Sequence, residues 1–382
     1  MIDYQMESQH RLLALPAPSG WCCPCLIHLF IAAMFPLLVL ADTAERQTED
    51  SGLESTLTDF SHASEEDEER GIAISRWLSL FGQIELEWTK QRLEPANGNS
   101  SEQTSESPET YQLGFMARPW SNCELLLVLE YTSDSDQLKA DEASVKLTSE
   151  PWAIRAGKFY TPFGTYLGNF INGPMLEFGE TRASGVNLSY SFGELSELSF
   201  MLYRGAADDQ GRHAEALDWA LSLESHASER ISVGLSYQSD LADSDEHLLA
   251  DSGDRFAHKV GALGGSLLWS GEAFELSFEA LGALHSFAEL EADRNRPLAW
   301  NLELKHPLPA DMHLAWRLEG SRELADQPEI QAGVALIWEP DKHITITLEY
   351  LHGKFKKGLA EDEHDEPYRH VDRISTMLRV GF

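Results

Sequence analysis

Carboxylates and basic side chains recur at alternate positions of apolar stretches along this chain. Glu85, Glu87, Glu124, Glu130, Glu142, Glu275, Glu279, Glu303, Glu319 and Glu349 sit in such stretches, as do Lys146, Arg155, Lys305, Arg317, Arg373 and Arg379. Charges of opposite sign set across a water-filled space create a transverse field that orients polar solutes and sorts ions by sign. Set side by side on a wall, the same groups would only pair with one another, and spacing alone leaves both arrangements open. Catalytic chemistry is poorly represented. His213, His258, His285, His352, His364 and His370 fall near the ends of apolar stretches, but no G-x-S-x-G or H-E-x-x-H pattern accompanies them, and no enzyme activity is expected. His364 stands in the run Glu361-Asp362-Glu363-His364-Asp365-Glu366, whose side chains suit a divalent cation but equally suit a solvated loop. Cys22, Cys23 and Cys25 lack companion ligands nearby, so neither a metal nor a cofactor is expected.

The elements that must position these charges are strands. Leu80, Ile84, Leu86 and Trp88 alternate with Gln83, Glu85 and Glu87, and Ile231, Val233, Leu235 and Tyr237 alternate with Ser232, Gly234 and Ser236. Phe274, Leu276 and Phe278 oppose Glu275, Ser277 and Glu279 in the same way, and Ile344, Ile346, Leu348 and Tyr350 oppose Thr345, Thr347 and Glu349. The C-terminal residues repeat the pattern, with Ile374, Leu378, Val380 and Phe382 on one face and Arg373, Ser375, Met377 and Arg379 on the other. A strand with lipid on one face and water on the other must alternate with period two, and every backbone group must be paired, which only a closed barrel achieves. A soluble sandwich shares the alternation.

Composition and charge narrow the class. The 382-residue chain is 42% hydrophobic, and its mean hydropathy of -0.30 does not suit a bundle of membrane helices. Its formal charge of -34 speaks against nucleic-acid binding, which needs a basic face. The apolar run 25–40, with Val39 and Ala41 at the small-residue positions before Asp42, reads as an export signal occupying residues 1–41. Residues 42–77 read as an acidic periplasmic extension, flexible or partly helical over 42–70, and residues 78–382 as the barrel. Only Cys123 would remain after signal removal.

About sixteen alternating segments follow one another from Leu78, centred near Ile84, Leu113, Leu127, Val145, Arg155, Leu188, Phe200, Leu221, Leu235, Leu263, Phe278, Leu302, Leu314, Val334, Ile346 and Thr376. Short links such as 149–151 and 193–194 alternate with long ones such as 91–109, 161–181 and 240–254. That rhythm predicts an all-β transmembrane antiparallel β-barrel with short periplasmic turns and long external loops. Aromatic residues sort by depth as two girdles would: Trp88, Tyr111, Tyr131, Trp219, Tyr237, Trp300 and Tyr350 toward the outer rim, and Trp152, Phe192, Trp269, Phe274, Trp338 and Phe382 toward the inner one.

One link is unlike a surface loop. Residues 157–182 are rich in Phe, Tyr, Gly and Pro and poor in charge, so bulk water suits them badly. Such a segment is expected to fold back into the barrel and narrow it, an external plug or subunit contact being the alternative. The candidate constriction and solute path comprises Lys158, Phe159, Tyr160, Pro162, Phe163, Asn169, Asn172, Glu177, Glu180 and Arg182, together with Arg317, Arg373 and Arg379 as wall charges that set ion preference. The run AGKFYTPFG followed by NGPMLEFGETRASGV resembles the LbtU-type siderophore porin family over residues 156–186. The resemblance implies uptake of an iron-siderophore complex across the outer membrane of a Gram-negative cell without a plug domain. The chain departs from that family in carrying a short acidic extension where a coiled coil would stand.

The sequence therefore predicts an outer-membrane, porin-like channel for ferric siderophores, with a general or selective diffusion porin for small polar solutes as the alternative reading. Expected partners are outer-membrane lipid and lipopolysaccharide, the small solute, and the barrel assembly machinery. No nucleic-acid partner is expected, and an oligomer is compatible with the pattern.

Overall fold

The computed structural model describes residues 71–95, 101–106, 110–132, 137–175, 178–193, 195–205, 217–244, 256, 258–291, 294–361 and 366–382. The readings of residues 1–41 as an export signal and of residues 42–70 as an extension lie outside the described residues.

Among the described residues eighteen strands follow in chain order: β1 (Ile72–Ser75), β2 (Leu78–Pro95), β3 (Ser101–Glu106), β4 (Thr110–Trp120), β5 (Cys123–Thr132), β6 (Gln137–Ser149), β7 (Trp152–Tyr160), β8 (Arg182–Ser191) and β9 (Ser196–Arg204). The remainder are β10 (Leu217–Ser228), β11 (Ile231–Gln238), β12 (Ala262–Ser270), β13 (Glu275–Ala283), β14 (Leu298–Leu308), β15 (Met312–Arg322), β16 (Ile330–Asp341), β17 (Ile344–Lys354) and β18 (Tyr368–Gly381). Every pairing is antiparallel, and β18 closes the sheet on β2 from Tyr368↔Pro95 to Gly381↔Gln83. Sixteen strands, β2 and β4–β18, form the closed barrel, and β1 and β3 extend its rims.

The side-chain period places Ile84, Leu86, Trp88, Leu188, Phe278, Leu302, Leu348 and Ile374 on an exposed outward face. Glu279, Asn301, Glu303, Glu319, Glu349 and Ser375 turn inward and are buried. An apolar belt around the whole circumference is far larger than the few hundred Å² that soluble monomers expose, so its solvent is hydrocarbon. Aromatic rings meet across neighbouring strands, as in Trp152–Tyr190 and Phe200–Trp219–Tyr237, and along the chain, as in Tyr190–Phe192.

The strand boundaries differ from expectation at the rims. Residues 91–95, read as loop, continue β2, and β3 pairs with residues 88–93 to extend the ladder outward. Leu93 supplies the reason: it is buried with Phe355, Ala360 and Val371 in a small apolar cluster beyond the wall proper. Residues 72–75, placed by sequence in the extension before the barrel, form β1 and pair with residues 78–80 of β2, below the point where β18 ends. The last strand closes on residues 83–95 of β2.

Closure ends on a reciprocal pair of backbone hydrogen bonds, Phe382 N–H to Gly82 O at 3.0 Å and Gly82 N–H to Phe382 O at 3.1 Å. A Cβ at Gly82 would stand 2.6 Å from the Phe382 ring, so the missing side chain lets the ring lie against the strand. Deleting Phe382 is therefore expected to lower the amount of heat-resistant barrel in membranes, because it opens the seam in lipid, where unpaired backbone is costly. Normal levels of the truncated protein in an outer-membrane fraction would refute this.

Candidate functional site

The connection between β7 and β8 turns into the barrel and runs along the inner wall on the β11–β18 side. Its aromatic residues find apolar contacts there: Phe163, Met175 and Phe178 are buried with Leu241, Val260 and Leu281, and Phe170 with Ala315, Ala335 and Leu351. The wall beneath is built from small residues. Ala262, Ala299, Ala315 and Ala335 all point inward and are fully buried, leaving the depth that the loop occupies. Burial of this kind supplies about 1.5–3 kcal/mol for each large apolar side chain.

A buried backbone needs partners for its polar groups, and the wall provides them. Glu279 accepts the N–H groups of Thr165 and Leu167 at 2.6 and 2.9 Å. Glu303 accepts from Asn169 N and Nδ2, both at 3.0 Å, and Glu349 from Ile171 N at 2.7 Å and Asn172 Nδ2 at 2.7 Å. Asn301 Nδ2 donates to Leu167 O at 3.0 Å, and Asn172 Nδ2 also donates to Ser375 Oγ at 2.9 Å. Donation from residues 165, 167, 169 and 171 is the signature of an extended segment, since alternate N–H groups point the same way.

Arg317 fastens the centre of this seam. Its Nε donates to Glu303 at 2.6 Å, its Nη1 donates to Asn172 O at 2.7 Å and lies 3.4 Å from Glu319, and the guanidinium carbon stands 4.3 Å from the Phe170 ring centre. The side chains of Arg317 and Glu319 are 0% exposed and that of Glu303 is 1% exposed. Gly173 crosses directly above them: a Cβ there would fall 2.5 Å from Glu319 Oε2 and 2.6 Å from Arg317 Nη1, and its φ of +151° also disfavours a side chain.

On the opposite side of the barrel a cavity of 290 Å³ separates the loop from the wall. Pro162, Phe163, Tyr166, Glu180 and Thr181 line it from the loop. Arg118, Glu124, Glu142, Lys146, Arg155, Glu197 and Glu224 line it from the wall. Arg155 Nη2 pairs with Glu142 at 3.0 Å, Arg118 Nη2 with Glu124 at 2.9 Å, and the Arg155 guanidinium carbon lies 4.6 Å from the Phe159 ring centre. Cations and carboxylates thus line the cavity together, and two such pairs form on its wall.

The expected residues divide accordingly. Phe159, Pro162, Phe163, Asn169, Asn172 and Glu180 lie on or beside the inserted loop, and Tyr160 lines the cavity. Lys158 and Arg182 are not among the residues that line it; Arg182 pairs with Tyr160 across β7 and β8, its guanidinium carbon 5.3 Å from the Tyr160 ring centre. At the rim Lys158 donates to Ala140 O at 2.8 Å, and Arg182 pairs with Asp141, the extra residue of a bulge in β6. Arg317 lies in the seam beneath the loop rather than in the path, because the loop covers it completely. Arg373 reaches Asn172 Oδ1 at 3.4 Å and Gln91 Oε1 at 3.2 Å, and Arg379 pairs with Glu85 at 2.6 Å. Glu177 lies outside the described residues. Asn301, Ser375 and Gly173 as contacts of the loop, and Arg118 as a residue of the cavity wall, were not singled out by sequence. Asn301 and Ser375 carried a usable signal, being polar on the inward face of otherwise apolar strands.

No protein-family model matches the chain, and no curated protein does. Solved structures match over most of its length. The outer membrane channel DcaP of Acinetobacter baumannii aligns at a TM-score of 0.56 and 14% identity, covering 82% of this chain and 99% of that one. A Salmonella typhi OmpF complex with daunomycin aligns at 0.57 and 11% identity over 82% and 100%. An anion-selective porin from Comamonas acidovorans aligns at 0.56 and 12% identity over 80% and 99%. The fold is that of outer-membrane porins: a closed, sixteen-stranded antiparallel barrel.

Proposed function

We propose that the chain is an outer-membrane diffusion channel for small polar solutes, passing them between the inserted loop and the charged β4–β10 wall. The observation that carries this reading is the seam of Glu279, Glu303, Arg317 and Glu349, which holds the loop to one side and leaves the charged cavity on the other. A cavity of 290 Å³ is at the low end of the range that encloses drug-sized molecules, which favours compact solutes. Uptake of ferric siderophores is the second reading. It is supported by the resemblance over residues 156–186, which build the loop and its flanking strands, and it requires the loop to yield for a larger cargo. An export signal at residues 1–41, assembly into the outer membrane through the C-terminal strand, contact with lipopolysaccharide and association into oligomers belong to the same proposal.

Planar-bilayer recordings test it. Replacing Arg118, Lys146 and Arg155 together with Gln removes the cations on the cavity wall and leaves Glu124, Glu142, Glu197 and Glu224, so the reversal potential in a salt gradient is expected to move toward cation selectivity. An unchanged reversal potential would place the conducting path elsewhere. Concentration-dependent block of the open channel by a ferric siderophore would favour the second reading over the first.

A further inference from the structure

Three buried carboxylates meet at the outer end of the barrel. Asp218 lies near the start of β10, and Asp240 and Asp243 bracket a single 3-10 turn after β11, with Asp240 as its N-cap. One ligand oxygen from each lies within 4.8 Å of those of the other two. Asp218 Oδ1 takes hydrogen bonds from Lys259 Nζ at 2.6 Å and Ser239 Oγ at 2.7 Å, and Asp240 Oδ1 takes them from the N–H groups of Ala242 and Val260 at 3.1 and 3.3 Å. The other Asp218 oxygen and both oxygens of Asp243 converge beside Gly205. A Cβ built there would stand 2.5 Å from the first and 2.7 Å from each of the others, so a side chain at residue 205 would fill the space between them.

A second observation comes from a different strand. Tyr203, at the outer end of β9, is 1% exposed, and Asp243, Asp218 and Asp240 are the charges acting on its hydroxyl. That hydroxyl faces Asp243 yet completes no hydrogen bond among the described residues. A buried phenol left in this state among carboxylates has an oxygen available to a further group, and the group that three carboxylates call for is a cation.

We propose that Tyr203, Asp218, Asp240 and Asp243 form a binding site for a divalent cation of the calcium class. All the donors are oxygens in an irregular arrangement, which calcium tolerates and magnesium, with its strict octahedron, does not. The ion joins the outer ends of β9 and β10 to the turn after β11. Its effect reaches the inserted loop by two routes. Leu241, between two of the ligands, packs in the cluster that holds Phe163 and Phe178, and Gln238 bonds Thr161 at 3.1 Å and Thr181 at 2.9 Å, the two feet of the loop.

The test uses the full barrel, purified in detergent and stripped with EDTA. Calcium chloride is expected to raise its unfolding temperature, and terbium chloride is expected to give luminescence excited through Tyr203 and Trp219 that added calcium displaces. D243N should weaken both responses by about tenfold or more, since affinity follows the number of charged ligands. The heat-modified gel shift of unheated samples reports whether that variant still forms a barrel. If it does not, Y203F is read in its place: a weakened terbium response supports the site, and a wild-type response overturns it. No calcium-dependent change in the parent protein, or an undiminished response in folded D243N, would equally overturn the proposal.

Discussion

Removing residues 166–174 is expected to raise single-channel conductance several-fold while leaving a heat-resistant barrel. Strand pairing does not pass through this segment: β7 still pairs with β8 from Trp152↔Tyr190 to Tyr160↔Arg182. What the deletion removes is the layer lying over Glu279, Glu303, Arg317, Glu319 and Glu349. Those groups then face water, which solvates them, so no buried charge is left uncompensated. The lost apolar contacts of Phe170 weaken local packing without opening the sheet. Conductance in planar bilayers, together with the mobility of unheated protein on gels, checks both halves. An unaltered conductance in a folded variant would mean that the loop does not limit the passage. Loss of oligomer with unchanged conductance per pore would mean that it serves as a subunit contact instead.

Arg317→Met is expected to be far more damaging than its single-atom scale suggests, because it removes the cation and leaves the loop in place. Glu303 and Glu319 would stay covered, at 1% and 0% exposure, with their central counter-charge gone. Breaking a buried ion pair from one side costs about 3–5 kcal/mol. The loop can escape that cost only by lifting off the wall. Two signs should therefore appear together: a lower unfolding temperature, and noisy openings toward the conductance of the loop deletion. Combining R317M with the deletion should then restore most of the stability, since the carboxylates are hydrated in the deleted barrel. A stable, quiet R317M channel would mean that Arg317 does not secure the loop.

The contrast between these two predictions reflects how the sequence encodes the molecule. The alternation around Ile84, Phe278, Leu348 and Ile374 is local, and it determines strand, inward face and outward face before any pairing is known. Period two also marked Glu279, Glu303, Glu319 and Glu349 as inward. The Phe- and Gly-rich character of residues 157–182 marked a segment unsuited to water. The two rims were less legible: β1 and β3 are polar or short, and their pairing to β2 depends on a neighbour rather than on their own pattern.

Whether an inward carboxylate faces water or holds a loop is a different kind of question. The partners of Glu303 and Glu349 lie 134 and 177 residues away in sequence, and only closure of the barrel brings them to the loop. The sequence by itself determined that a barrel forms, which residues line it and which segment enters it, because periodicity and composition act over a few residues. The tertiary structure alone decided that Arg317 is a sealed clasp rather than a pore charge, that the bulge at Asp141 meets Arg182, and that an aspartate at the start of β10 and two in the turn after β11 share one buried space. Each of those outcomes depends on a register or a distance set across the sheet, and no local pattern carries that information.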